Sequence, residues 1–165
     1  MCEPLHLIFI RHGHPCKPVD DSQAASNAKP LSDKGFDDAV AAGEWLLAQG
    51  IRPDLIVHTN KVRTTETAVL IQEVLGTSLA PLVVPGGFEQ GADDGDILQR
   101  VDEWLRAAHM PPTCTVLFVG HHTQQIACLR ELGGPKVADK ARGAVLTYKL
   151  DDDGEWYEGP AHVGQ

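Results

Sequence analysis

Residues 5–10, Leu-His-Leu-Ile-Phe-Ile, are apolar at nearly every position, and the run stops abruptly at Arg11-His12-Gly13-His14-Pro15. A strand with one wet face alternates apolar and polar side chains, whereas a strand that is apolar throughout is covered on both faces. This one segment therefore calls for a sheet with helices on either side, and the rest of the chain repeats the theme. Segments 54–58 (DLIVH) and 113–119 (TCTVLFV) read as further buried strands, and 79–84 (LAPLVV) as a weaker one broken by Pro81. GAVLTYKL at 143–150 and EWYEG at 155–159 read as a hairpin at the edge of the sheet.

Between these runs the apolar spacing lengthens to that of a helix. Ser32 caps a helix carrying Phe36, Ala39, Val40, Gly43, Leu46 and Leu47 at helical spacing, stopped by Gly50. Thr59 or Asn60 caps a second that runs to about Leu75, and Ile97, Leu98, Val101, Trp104, Leu105 and Ala108 stripe a third. GHHTQ at 120–124 turns into a fourth that continues through Leu132, while 14–30 and 85–96 read as loops. Strands alternating with helices define an α/β fold, expected as a three-layer α/β/α sandwich in which 1–165 form a single domain.

Charge limits what such a domain can bind. The net charge of −9 argues against a broad nucleic-acid surface or an anionic membrane, so an anionic substrate needs a local basic pocket. Cys2, Cys16, Cys114 and Cys128 are scattered without a C-x-x-C pair, as expected of free thiols in a reducing compartment, with Cys114 and Cys128 as core residues. No apolar run spans a bilayer and the N-terminus lacks a basic, apolar leader, so the expected location is cytoplasmic.

The basic pocket has identifiable parts. Arg11-His12-Gly13, the 59–63 segment and Gly120-His121-His122 all follow the C-terminal ends of expected strands, the edge at which open α/β sheets bind ligands. Converging there, Arg11 and Arg63 offer planar forks of donors for a tetrahedral oxyanion, and Arg63 adds the N-terminal turn of its helix. A neutral imidazole among such cations can attack phosphorus and form a phosphohistidine that water hydrolyses. His12, His14, His121 and His122 also make a rival four-histidine metal set, since His-x-His on extended backbone turns both rings to one face. Two guanidiniums would repel a dication there, and no supporting carboxylate is evident in these segments, so the anion reading is preferred. His14 and His122 are expected at the rim of the pocket or on the surface.

Arg11-His12-Gly13 after an apolar strand, the T-x-x-x-R-x-x-x-T-A pattern at 59–68, V-G-H at 119–121 and Pro30-Leu31-Ser32-Asp33-Lys34-Gly35 together resemble the histidine phosphatase superfamily, whose fold is shared with phosphoglycerate mutases. The small size, with no room for a large cap, looks most like the short bacterial phosphohistidine phosphatases of the SixA type. The resemblance implies a mixed, mainly parallel sheet, no metal and no cofactor. It also implies His12 as nucleophile, Arg11 and Arg63 as phosphate clamps, and His121 as a phosphate-contacting imidazole. Two positions depart from the family pattern. Thr59-Asn60 stands where Ser-Pro is common, which keeps the hydroxyl. Pro85-Gly86-Gly87-Phe88-Glu89 stands where relatives carry P-E-L, which leaves Gly at the position of the usual proton donor. Glu89 comes two residues late, and Asp93 and Asp94 follow further on.

An alkoxide leaving group needs an acid, whereas the imidazole of phosphohistidine can take its proton from solvent. The expected activity is therefore a metal-independent phosphatase acting on a phosphorylated partner, a phosphohistidine-bearing protein domain. The alternatives are a phosphatase of small phosphomonoesters and a phosphate- or phosphoprotein-binding module that has lost its chemistry.

Overall fold

The computed structural model describes residues 6–78, 80–84, 97–107, 115–132, 142–150 and 156–163. Among them run six strands, β1 (His6–Arg11), β2 (Leu55–His58), β3 (Leu82–Val83), β4 (Thr115–Gly120), β5 (Val145–Leu150) and β6 (Trp156–Glu158). The helices are α1 (Gln23–Asn27), α2 (Asp33–Ala48), α3 (Val62–Leu75), α4 (Ile97–Ala107) and α5 (His122–Leu132). The sheet order is β3-β2-β4-β1-β5-β6. The first four strands in that order are parallel, while β5 and β6 are antiparallel and form the edge hairpin. The sheet is thus mixed and mainly parallel.

β1 lies between β4 and β5, which accounts for its near-continuous apolar run. Phe9 pairs with Phe118 on one side and Leu146 on the other. Alternate residues point to opposite faces, and each face has its own core. Leu7, Phe9, Val116 and Phe118 pack with Val101 of α4 and Cys128 of α5. Ile8, Ile10, Leu117 and Val119 pack with Ala42 and Leu46 of α2 and Ala68 and Ile71 of α3. Three layers follow directly. Cys128 is a core residue as expected, whereas Cys114 lies outside the described residues. Among the described residues no helix is long and apolar enough to cross a membrane.

Three local expectations change. The buried face of α2 is Gly35, Asp38, Ala39, Ala42, Gly43 and Leu46, while Phe36 and Leu47 are exposed. Small residues turn inward because the neighbours come too close for larger ones: a Cβ on Gly43 would lie 2.9 Å from the Val74 side chain of α3. The Pro81 segment yields only a two-residue β3, since proline has no N–H to give a ladder. Residues 14–30 are also more ordered than a loop, because Ser22 caps the short α1 and Pro15 bridges to Leu31.

The turn after β1 is pinned to the start of α2 by glycine. A Cβ on Gly13 would strike the Gly35 carbonyl oxygen, and one on Gly35 would strike the carbonyl oxygen of His14. Backbone meets backbone here with no flexible side chain to yield. Gly35→Ala is expected to lower stability by at least about 1–3 kcal/mol, read as a lower urea midpoint at unchanged m-value. An unaltered midpoint would show that the two segments can part without cost.

Candidate active site

At its C-terminal end β1 is held from both sides. Arg11 N donates to Ala144 O (3.1 Å), Gly143 N donates to Arg11 O (3.1 Å), and His12 N donates to Gly120 O (3.0 Å). Thr59 N donates to Val119 O at 3.3 Å, which draws the β2–α3 junction to the same edge. Arg11, His12, Arg63 and His121 therefore meet, all buried, and the rings of His12 and His121 lie edge to face with centroids 5.4 Å apart. These four are the residues that the sequence assigned to one pocket. Glu89, Asp93 and Asp94 lie outside the described residues.

The His12 ring is oriented by its own turn. Nδ1 lies 2.7 Å from the carbonyl oxygen of Gly13, which can only accept, so Nδ1 carries the proton and Nε2 keeps its lone pair. Burial first, then the charges of Arg63, Arg11 and Arg142, lower its pKa to about 3, against a raising contribution from the Gly13 bond. The imidazole is neutral at physiological pH with its reactive nitrogen bare.

A chain of hydroxyls settles the tautomer of His121. Thr64 Oγ1 donates its one proton to Thr59 O (2.7 Å) or Lys61 O (3.0 Å), so it accepts from Thr59 Oγ1 at 3.0 Å. Thr59 Oγ1 has then spent its proton and accepts from His121 Nε2 at 2.8 Å. Nδ1 of His121 is left as a bare, buried lone pair with no hydrogen-bond partner among the described residues. Burial, followed by the charges of His12, Arg63, Lys61 and Arg11, lowers its pKa to about 2. Such a nitrogen can accept a hydrogen bond from a singly protonated phosphate.

Thr59 thus serves His121 and does not cap α3; the N-cap is Lys61, whose side chain makes no capping bond. Arg63 sits in the first turn of that helix as expected, and its Nη1 donates to Ser26 O at 2.9 Å. Lys61 Nζ donates to Asn27 Oδ1 at 2.8 Å, so α1 orients two cations of the pocket. Thr67 Oγ1 bonds Arg63 O (2.7 Å) and accepts from Gly13 N (3.1 Å), tying the guanidinium's helix to the turn of His12. Ser26, Asn27 and Thr64 carried no signal in the sequence, and Thr67 only its place in the 59–68 pattern.

His14 stands at the joint with α2. Its N donates to Asp38 Oδ2 (3.0 Å), and its Nδ1 lies 2.8 Å from Ser32 Oγ. His122 is the first residue of α5 and is half-buried. Among the described residues no group of three or more His, Cys, Asp and Glu side chains is placed to hold a metal ion. The charges that shift His12 and His121 are those of Arg11, Arg63, Arg142, Lys61 and, on His121, His12, all of which lower the pKa. Among the described residues the site is a buried cluster of cations and imidazoles in an acidic chain.

With that geometry in place, comparison with known proteins is informative. The histidine phosphatase superfamily (branch 1) matches residues 7–85, the part that carries Arg11, His12 and Arg63. An uncharacterised chloroplastic protein of Arabidopsis thaliana is 26% identical over 142 residues, 85% of this chain and 64% of its own length. A 2,3-bisphosphoglycerate-dependent phosphoglycerate mutase of Sphingopyxis alaskensis is 28% identical over 120 residues, covering 64% of this chain and 52% of the mutase. The chain therefore spans between about half and two thirds of these curated relatives. The tungstate complex of the protein histidine phosphatase SixA superimposes with a TM-score of 0.74 at 16% identity, covering 94% of this chain and 95% of that one. The shared fold is that of the histidine phosphatases.

The depressed imidazoles link stability to pH. Both bind protons more weakly in the folded chain than at the ordinary value of 6.5, so their contribution is full above pH 6.5. It is lost as pH falls towards about 3 for His12 and about 2 for His121. Between pH 7 and 5 the loss is expected to reach about 2 kcal/mol for each imidazole. His121→Gln should remove one half of that acid limb, measured by urea unfolding at the two pH values. An equal pH slope in wild type and variant would count against a buried neutral His121.

Proposed function

We propose that this chain, similar to the histidine phosphatase superfamily in its motifs and fold, hydrolyses phosphoryl groups through a covalent intermediate on His12, with phosphohistidine in proteins as substrate. The observation that carries the reading is the neutral His12 ring, its Nδ1 proton given to Gly13 O and its Nε2 bare, surrounded by positive charge.

The arrangement supports each step. Nε2 forms a bond to phosphorus as the bond to the leaving group breaks. Because Nδ1 keeps its proton, the phosphorylated ring is cationic, which the Gly13 carbonyl stabilises and which makes the ring a good leaving group in turn. Arg11, Arg63 and the first turn of α3 face the charge on the equatorial oxygens. His121 Nδ1 completes the shell around the phosphoryl group. Water then attacks phosphorus, the bond to His12 breaks, inorganic phosphate departs with the water's oxygen, and neutral His12 is restored.

Preference for phosphohistidine rests on the leaving group. A phosphomonoester expels an alkoxide and draws on a general acid for about 10²–10⁴ in rate. The 85–89 stretch holds glycine at the position expected of the family's proton donor, and the imidazole of phosphohistidine can be protonated by solvent. Small phosphomonoesters are the second reading, favoured by the match to a phosphoglycerate mutase.

Rapid quenching with labelled phosphohistidine protein should trap a label on the enzyme that survives alkali, is lost in acid and is absent from His12→Ala. Arg63→Ala should lower turnover by about 10²–10³. Acid-stable label, or label persisting in His12→Ala, would overturn the intermediate. Loss of activity in Glu89→Gln, together with phosphoserine or sugar phosphates turned over faster than phosphohistidine protein, would overturn the substrate preference.

A further inference from the structure

A third guanidinium stands beside the pocket, outside every motif of the sequence. Arg142 immediately precedes Gly143, whose N–H is bonded to Arg11 O. Gly143 takes a left-handed φ of 76°, and a Cβ there would come within 2.9 Å of Asp38 O on α2. The backbone entering β5 is therefore clamped between the Arg11–His12 corner and the first half of α2, which fixes where the Arg142 side chain starts. Arg142 is half-buried, and its Nε is shielded from solvent without a hydrogen-bond partner among the described residues. Asp38, the acid this turn touches, is committed elsewhere: Oδ2 accepts from His14 N and Oδ1 lies 3.6 Å from Lys34 Nζ.

Lys29 reaches the same mouth from the opposite segment. The bond from Cys16 N to Pro30 O (2.8 Å) and the Pro15–Leu31 bridge hold residues 29–31 against the chain that follows His14. Lys29 is half-buried, and its pKa is lowered by burial first and then by the charges of Arg63 and Arg142. Arg142 also lowers the pKa values of His12, His14 and Arg63, which places its charge within reach of the whole pocket. Arg63 and Arg142 thus act as like charges on Lys29, and Arg142 on Arg63, so the three cations share one neighbourhood.

We propose that Arg142 and Lys29 form a second anion subsite next to the phosphoryl site, selecting substrates that carry a carboxylate or a second phosphate beside the transferred group. The subsite rests on the reading of the His12 pocket as a phosphoryl site, and it adds what that reading leaves open, the chemistry of the group attached to phosphorus. The second anion is supplied either by the acid group of a small phosphorylated acid or by an acidic side chain flanking a phosphohistidine.

Binding of non-hydrolysable probes tests the subsite without relying on turnover. Phosphonoacetate and ethylphosphonate share a two-carbon skeleton and differ by a carboxylate in place of a methyl group. Wild type is expected to bind phosphonoacetate at least about tenfold more tightly by calorimetry. Arg142→Ala and, separately, Lys29→Ala should bring the ratio of the two affinities to within about threefold of one, with Arg142→Lys intermediate. Equal affinities in wild type, or an unchanged ratio in both alanine variants, would overturn the subsite while leaving the phosphoryl site standing. Failure of both phosphonates to bind would overturn the phosphoryl site and the subsite with it. For the source of the second anion, kcat/KM for 3-phosphoglycerate against glycerol 3-phosphate reports a small acid. Phosphohistidine peptides with Asp or Asn beside the modified residue report a protein. Preference for the acidic member of either pair that is lost in Arg142→Ala supports the subsite and names its source; no acidic preference in either pair counts against it.

Discussion

The pairing of β1 on both edges is the constraint from which the site follows. Ladder bonds to β4 and β5 bring the 120–122 and 142–144 segments to the point where β1 ends, and β2 pairing with β4 adds the 59–63 segment. Two bonds to Arg11 and one from His12 continue that order past the strand itself. A shift of one residue in the β1 register would send Ile8 and Ile10 to the wrong core and move Arg11 and His12 out of the corner together. Packing of the apolar run and placement of the reactive imidazole are in this sense one requirement.

Electrostatics of the pocket run against those of the molecule. A chain with net charge −9 gathers Arg11, Arg63, Arg142 and Lys61 around two buried imidazoles, with Lys29 beside Arg63 and Arg142. Burial and like charge push in the same direction, keeping both rings neutral and so keeping a lone pair available on each. Holding cations together in a dry site is unfavourable until an anion arrives, so the arrangement is suited to an oxyanion and hostile to a metal dication. The hydroxyl chain from His121 through Thr59 to Thr64 then fixes which nitrogen of His121 keeps its lone pair, a choice that charge alone does not make.

How legible this was depended on the range of the interaction. Apolar runs such as 5–10 and 113–119 announced buried strands because side-chain periodicity is a local property, and Gly50 marked a helix end for the same reason. Local patterning misread α2, where Phe36 and Leu47 fit the helical period yet face solvent. Ala39 and Gly43 lay on the expected stripe, but only the proximity of His14 turns Gly35 inward, and only that of Val74 denies position 43 a larger side chain. Thr59 looked like a helix cap for want of knowledge that His121, 62 residues away, lies 2.8 Å from its hydroxyl. α1 and its hold on Arg63 through Ser26 O escaped notice because a five-residue helix has no stripe to betray it.

By itself the sequence determined the layered α/β plan and the residue types of the site, Arg11, His12, Arg63 and His121, since each lies at or shortly after the end of a strand recognisable from its own neighbours. Tertiary structure alone decided the protonation states, the tautomers and the company these residues keep. Those properties come from burial and from groups far off in the chain. Arg142 shows the difference most clearly: an arginine before an edge hairpin is unremarkable in sequence, and it becomes part of the site only because Gly143 is bonded to Arg11.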